Sequence, residues 1–140
     1  MNIRLEGKRA LVTGGNSGLG AAIALALAEA GAKVAINYMT HPEASDALIE
    51  TIKQKKGEAI SIQADVSDPK SVREMFRQVD EAWSGLDILI NNAGMDGPRA
   101  MGWEADIDAW RKVIEVNLFG SFTAPARPSN TWCRRKAALC

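Results

Sequence analysis

The chain has 140 residues, 46% hydrophobic and 24% charged, with 17 basic side chains balancing 17 acidic ones. That length suits one domain with a single core, and that balance excludes a disordered chain and a fibrous repeat. Every acidic residue precedes Arg127, whereas Arg127, Arg134, Arg135 and Lys136 follow without an acid, so the body is acidic and carries no basic stripe to bind nucleic acid.

From the start, Met1 to Arg9 is charged and lacks the apolar centre of a signal peptide, and no later run is long enough to cross a bilayer. A cytoplasmic protein with no membrane partner is expected. Ala10-Leu11-Val12 predicts a first strand, and a glycine-rich turn from Thr13 leads into a helix over Leu19 to Ala30, with Gly31 as its stop. Lys33 to Ile36 predicts the second strand, completing a βαβ unit of about 30 residues.

The cycle repeats. Pro42 fits the first position of a helix carrying Ala47, Leu48 and Ile52, with Gly57 as its stop, and Ala59 to Ile62 reads as the third strand. Asp68-Pro69 reads as an N-cap followed by a first-turn proline, opening a helix through Val72, Met75, Phe76 and Val79 to Trp83. Gly85 closes it, and Asp87 to Ile90 predicts the fourth strand. After a loop at Asn91 to Gly102, a last helix is predicted from about Ile107 to Phe122, with Trp110, Val113, Ile114 and Phe119 as its apolar side.

Apolar strands alternating with helices predict an α/β fold, a Rossmann-like doubly wound parallel sheet. It is incomplete, about four strands in the order βαβαβαβα. Residues 1–124 form this partial domain, and 125–140, broken by Pro125 and Pro128 and holding both cysteines, Cys133 and Cys140, form an irregular basic tail. Those cysteines have neither metal-ligand spacing nor a disulfide framework around them.

The turn from Thr13 to Gly20 places backbone N–H groups and a helix N-terminus where a pyrophosphate can dock. On spacing alone this signal is weak, because Ile23 stands where a strict G-x-G-x-x-G would need its third glycine. The turn resembles, however, the TGxxxGxG cofactor turn of the short-chain dehydrogenase/reductase family. Asn91-Asn92-Ala93-Gly94 matches that family's NNAG motif, Asp65-Val66 its site after the third strand, and Val116 to Gly120 its segment around an asparagine, here Asn117. The resemblance covers about Leu5 to Thr123.

It implies that Gly14, Gly18 and Gly20 shape the pyrophosphate turn, with Asn16, Ser17 and Leu19 lining it. It also implies that Asp65 accepts from the adenine amino group, that Val66 touches the ring, and that Asn91, Ala93 and Gly94 pass beside the nicotinamide ribose. Taken alone, Asp65 reads as an acid capping the following loop. Nicotinamide nucleotides are distinguished at the end of the second strand, where an acid would bind the ribose 2′-hydroxyl of NAD. Here Asn37-Tyr38-Met39-Thr40 offers no carboxylate, so Tyr38 and Thr40 are expected to favour NADP with NAD tolerated. His41, the single histidine, reads equally as a surface residue at a helix start or a phosphate contact.

By resemblance, the family's chemistry rests on a serine, a tyrosine and a lysine, the last two spaced Y-x-x-x-K. Tyr38 is the single tyrosine and is followed at that spacing by Pro42, so the catalytic set is absent and Asn117 is a remnant only. The expected function is therefore an NAD(P)-binding fragment of an alcohol or ketone oxidoreductase, truncated or frameshifted after about residue 124 and inactive alone. Two alternatives stand beside it: a binding or regulatory module completed by a partner subunit, and a hydrolase-type activity on the same fold. Loss of the later strands would leave the fourth or first strand as an open edge and uncover the last helix, so a homo-oligomer is expected.

Overall fold

Unbroken runs of Val, Ile, Leu and Ala form strands that can be covered on both faces, and four do so: β1 (Arg9–Val12), β2 (Lys33–Tyr38), β3 (Ala59–Gln63) and β4 (Ile88–Ile90). The computed structural model describes residues 3–98 and 106–123. All pairings are parallel, in the order β3-β2-β1-β4. The helices α1 (Gly18–Glu29), α2 (Pro42–Gln54) and α3 (Pro69–Trp83) supply the crossovers.

Because successive side chains on a strand point to opposite faces, one run feeds two cores. Ala10, Val12, Val34 and Ile36 pack with Ala24 of α1 and Ile52 of α2. Leu11, Ala35 and Ile62 face the other way, against Val72, Met75, Phe76 and Val79 of α3. This is the Rossmann-like doubly wound arrangement.

The helix boundaries follow local chemistry. Asp68 caps α3, its carboxylate accepting from the N–H groups of Lys70 at 3.2 Å and Ser71 at 3.0 Å, with Pro69 at the first position. Pro42 starts α2 behind His41, which takes a left-handed φ of 61°. The left-handed residue that ends α2 is Lys56 rather than Gly57. Gly57 serves a different need, since a Cβ there would lie 2.7 Å from Ile52 Cγ2.

Of the two strands expected to offer an open edge, β4 does and β1 is internal; the sheet edges among the described residues are β3 and β4. Two expectations are corrected. Strand β2 runs two residues further than its apolar stretch, to Tyr38. The last helix is not one regular α-helix: α4 (Ile107–Ile114) passes through a π-helical segment, Glu115–Phe119, into α5 (Gly120–Thr123). Its buried side is Val113, Val116 and Gly120, while Trp110, Ile114 and Phe119 are among its exposed large apolar residues. The tail of residues 125–140, with its cysteines and prolines, and residues 99–105 of the loop lie outside the described residues.

At the end of the sheet where the strands begin, Arg9 spans β1 and Asp87. Its guanidinium donates to both carboxylate oxygens, at 2.8 and 3.1 Å, and to the carbonyls of Trp83 and Ser84 at 3.1 Å. These hydrogen bonds from Arg9 hold the Asp87 carboxyl below the usual carboxylate range.

Candidate functional site

After β3 the chain crosses back over β2 and β1 to add β4 on the far side of β1, so the connections diverge at the carboxyl end of β1. Open parallel sheets bind ligands in the crevice at that position. A cleft of about 500 Å³ lies there, a size suited to a small-molecule ligand.

One wall is the turn between β1 and α1. Thr13 is buried and fastens it to the opposite loop: its hydroxyl oxygen accepts from the N–H groups of Asn92 and Ala93, both at 3.0 Å, and the hydroxyl donates to the Ile90 carbonyl at 3.3 Å. The Asn92 amide donates to the carbonyls of Thr13 and Gly14, again at 3.0 Å. Beneath the turn sits Asn37, 1% exposed. Its amide oxygen accepts from the Gly14 N–H, and its amide nitrogen donates to the carbonyls of Ile62 and Ala64. A polar side chain in the apolar β2 is thus fully used in joining the turn to the end of β3.

Close approach explains two of the glycines. A Cβ on Gly14 would stand 2.9 Å from Ala93 Cα, and one on Gly20 would collide with the Gly14 carbonyl and the Asn92 amide. Gly18 differs: with φ at 50° it faces the cleft, and an added Cβ would meet no protein atom within 4 Å. Helix α1 starts there with no acidic residue in its first turn, so its N-terminal N–H groups and positive dipole end lie open to an anion. Ser17 and Leu19 line the same stretch, and Leu19 is 71% exposed. Asn16 turns sideways, its amide donating to the carbonyls of Thr40 at 2.8 Å and His41 at 3.1 Å, which ties the turn to the loop after β2.

On the second wall, the end of β2 brings Asn37 to the cleft and the loop after it brings Met39 and Thr40; Tyr38 is not among the lining residues. His41 is exposed, its Nδ1 3.2 Å from Glu43 Oε1.

The third wall joins Ala64, Asp65 and Val66 to Lys112 and Val116. Asp65 does cap its own loop, one oxygen accepting from the Ser67 N–H at 2.8 Å and hydroxyl at 2.6 Å. Burial pushes its carboxyl up, but Ser67 and the Lys112 ammonium outweigh this and hold it below the usual range.

Ala93 and Gly94 close the cleft near the end of β4, whereas Asn91 points away, its amide donating to the Ser121 carbonyl at 3.5 Å. Asn117, in the π-helical segment, pins this loop in both directions: its oxygen accepts from the Met95 N–H at 2.7 Å and its nitrogen donates to the Met95 carbonyl at 3.0 Å. Such segments are frequent at functional sites because they re-aim one side chain of a helix. Asn37, Met39, Asn92 and Lys112 were not singled out as site residues from sequence. Asn37 and Asn92 carried a readable signal, as polar residues at the ends of apolar strands. Met39 and Lys112 carried none.

Among the described residues there is no cluster of His, Cys, Asp or Glu able to hold a metal, and no helix long and apolar enough to cross a membrane.

Residues 8–138 match the short chain dehydrogenase family. Among curated proteins, the chain is 38% identical over 118 residues to glucose 1-dehydrogenase 2 of Bacillus subtilis, covering 84% of this chain and 46% of that protein. It is 45% identical over 123 residues to a versicolorin reductase of Emericella nidulans, covering 86% and 46%. Among solved structures, a dehydrogenase/reductase from Sinorhizobium meliloti superposes with a TM-score of 0.84 at 40% identity, covering 89% of this chain and 49% of that one. A short chain dehydrogenase from Burkholderia cenocepacia in complex with NADP gives 0.83 at 44% identity, covering 88% and 50%. The chain spans about half the length of the relatives it matches.

Proposed function

Because the chain belongs to the short chain dehydrogenase family, we propose that its cleft binds a nicotinamide dinucleotide, NADP at least as well as NAD, and that the 140-residue chain alone does not turn over an alcohol or ketone. The observation that carries the reading is the cradle at Gly18. It is a left-handed glycine facing open space, beside a helix N-terminus free of acids, at the crevice where the sheet's connections diverge. The pyrophosphate would lie against Gly14 to Gly20, the adenine against Asp65 and Val66, and the nicotinamide ribose beside Ala93 and Gly94. When bound, the dinucleotide supplies a hydride-transfer centre.

Preference for NADP is supported by Asn37, Met39 and Thr40, none of which carries a charge to repel a 2′-phosphate. Glu43, the first acid after this strand end in sequence, stands outside the cleft lining and beside His41. Inactivity is supported by the single tyrosine, Tyr38, which does not line the cleft and has Pro42 where a lysine would be needed. Positioned proton transfer contributes on the order of 10² to 10⁴ in rate, so its loss leaves binding without catalysis. Asn117 is bonded to backbone and acts as a brace for the loop.

Self-association belongs to the same reading. Ile107, Trp110, Ile114 and Leu118 recur at helical spacing and are 43–70% exposed, forming an apolar stripe that a second copy would cover. Calorimetric titration of the 140-residue chain with NADPH and NADH tests the reading. Saturable binding with NADPH equal or tighter is expected; no binding, or a clear preference for NADH, overturns it. Reduction of ketones by the chain alone would overturn the claim of inactivity.

A further inference from the structure

We propose that Lys112 is a specificity-determining residue of this cleft, acting through Ser67 to hold Asp65 as a pure hydrogen-bond acceptor that admits a 6-aminopurine and rejects a 6-oxopurine. The inference rests on the dinucleotide reading above.

Lys112 sits on α4 and reaches across to the loop after β3, 47 residues earlier, where its ammonium donates to the Ser67 hydroxyl oxygen at 2.7 Å. A lysine ammonium can only donate, so the Ser67 oxygen must accept from it. The one hydroxyl proton is therefore committed to its other partner, Asp65, at 2.6 Å. With the Ser67 N–H on the same carboxylate oxygen at 2.8 Å, that oxygen is saturated. The second oxygen lies 3.4 Å from the ammonium, a long contact that leaves it an open lone pair. The backbone beneath cannot turn easily, because the Asp65 N–H donates to the Ser71 hydroxyl at 2.9 Å, at the capped start of α3.

Asp65 and Lys112 both line the cleft, and the Asp65 side chain is 27% exposed. What the cleft presents at this point is one fixed carboxylate oxygen, and the donor beside it, the Lys112 ammonium, is already engaged by Ser67 and by that carboxylate. An exocyclic amine satisfies that oxygen, whereas a ring carbonyl sets acceptor against acceptor. If the ammonium were absent, the Ser67 proton would be free to turn away and the carboxylate free to rotate, so the fixed acceptor would be lost and the discrimination would relax.

The test is the ratio of dissociation constants for NADPH and for its analogue with hypoxanthine in place of adenine, measured by calorimetry on the full chain. The wild-type chain is expected to favour adenine by about tenfold or more, the scale of a hydrogen bond to a charged group. Lys112→Met and Ser67→Ala should each lower that ratio at least about threefold, while Lys112→Arg, which keeps a cationic donor, should preserve it. Lys112 is 40% exposed and Ser67 lies part-exposed on a loop, so these variants should fold. A purely structural role would weaken both nucleotides equally and leave the ratio unchanged, and that outcome overturns the inference while the dinucleotide reading stands. A wild-type chain that binds neither nucleotide overturns both.

Discussion

Substituting Gly20 and Gly18 separately should divide the fold's needs from the ligand's. A Cβ at position 20 would overlap the Gly14 carbonyl oxygen and come within 2.5 Å of Asn92 Nδ2. To make room, the Asn92 amide must leave its two acceptors, Thr13 and Gly14, at a cost of about 1 kcal/mol each. Overpacking adds about 1 to 3 kcal/mol, so Gly20→Ala should lose about 3 to 5 kcal/mol, a large part of the 5 to 15 kcal/mol typical of a domain. At roughly 3 °C per kcal/mol, that is a fall of about 10 °C or more in Tm. Position 18 has φ at 50° and open space around it, so Gly18→Ala costs only the left-handed strain of an L-residue, about 1 to 2 kcal/mol or roughly 3 to 6 °C. The new methyl would occupy the phosphates' place, and NADPH affinity should drop at least about tenfold, the scale of one lost charge-assisted hydrogen bond. Differential scanning calorimetry on both variants, with titration of Gly18→Ala, checks this. Equal losses of stability, or an unchanged affinity in Gly18→Ala, would refute the division.

Arg9→Met should destabilise the chain by about 2 kcal/mol at pH 7, by removing a bidentate charged pair at the base of the sheet. Arg9 lowers the Asp87 carboxyl in the folded state, so the pair's contribution is present above the ordinary aspartate range near pH 4 and is lost as pH falls through the lowered value. Urea unfolding curves of the two proteins should therefore converge below about pH 4, and a gap that stays constant down to pH 2 would count against the pair. Asn117→Ala should speed hydrogen exchange at the Met95 amide about tenfold, since that N–H loses its acceptor; unchanged exchange would show the brace to be dispensable. Ile114→Asp with Leu118→Asp should give a monomer in light scattering with circular dichroism intact, and a wild-type chain that is already monomeric would dismiss the apolar stripe as an interface.

What could be read from sequence was whatever is encoded over a few neighbouring residues. Asp68-Pro69 states both the cap and the first position of α3, and the glycines of the first turn sit between an apolar strand and a helix rich in Ala and Leu. The misread features depend on distant partners. Trp110, Ile114 and Phe119 look like a core face by hydrophobicity, yet the inner side is chosen by Val66, against whose Cγ2 a Cβ on Gly120 would lie 2.9 Å away. The π-helical segment accompanies that packing and leaves no mark in composition. Lys112 has no local reason to be a site residue, because its partners, Asp65 and Ser67, are brought to it only by the crossover of α3. Tyr38 against Met39 is a matter of where β2 ends and the loop begins.

The buried amide of Asn37 has a consequence for any redesign of nucleotide choice. Replacing it with the isosteric aspartate is the smallest change that would place an acid at the end of β2. Yet its nitrogen faces the carbonyls of Ile62 and Ala64, and a carboxylate there would oppose acceptor to acceptor inside the sheet. Only the oxygen that receives the Gly14 N–H would be content. The position is closed to the acid by the neighbouring strand and not by the nucleotide, so selection for NAD in this scaffold must act through the residues that follow, where the backbone has left the sheet and a new charge can reach water.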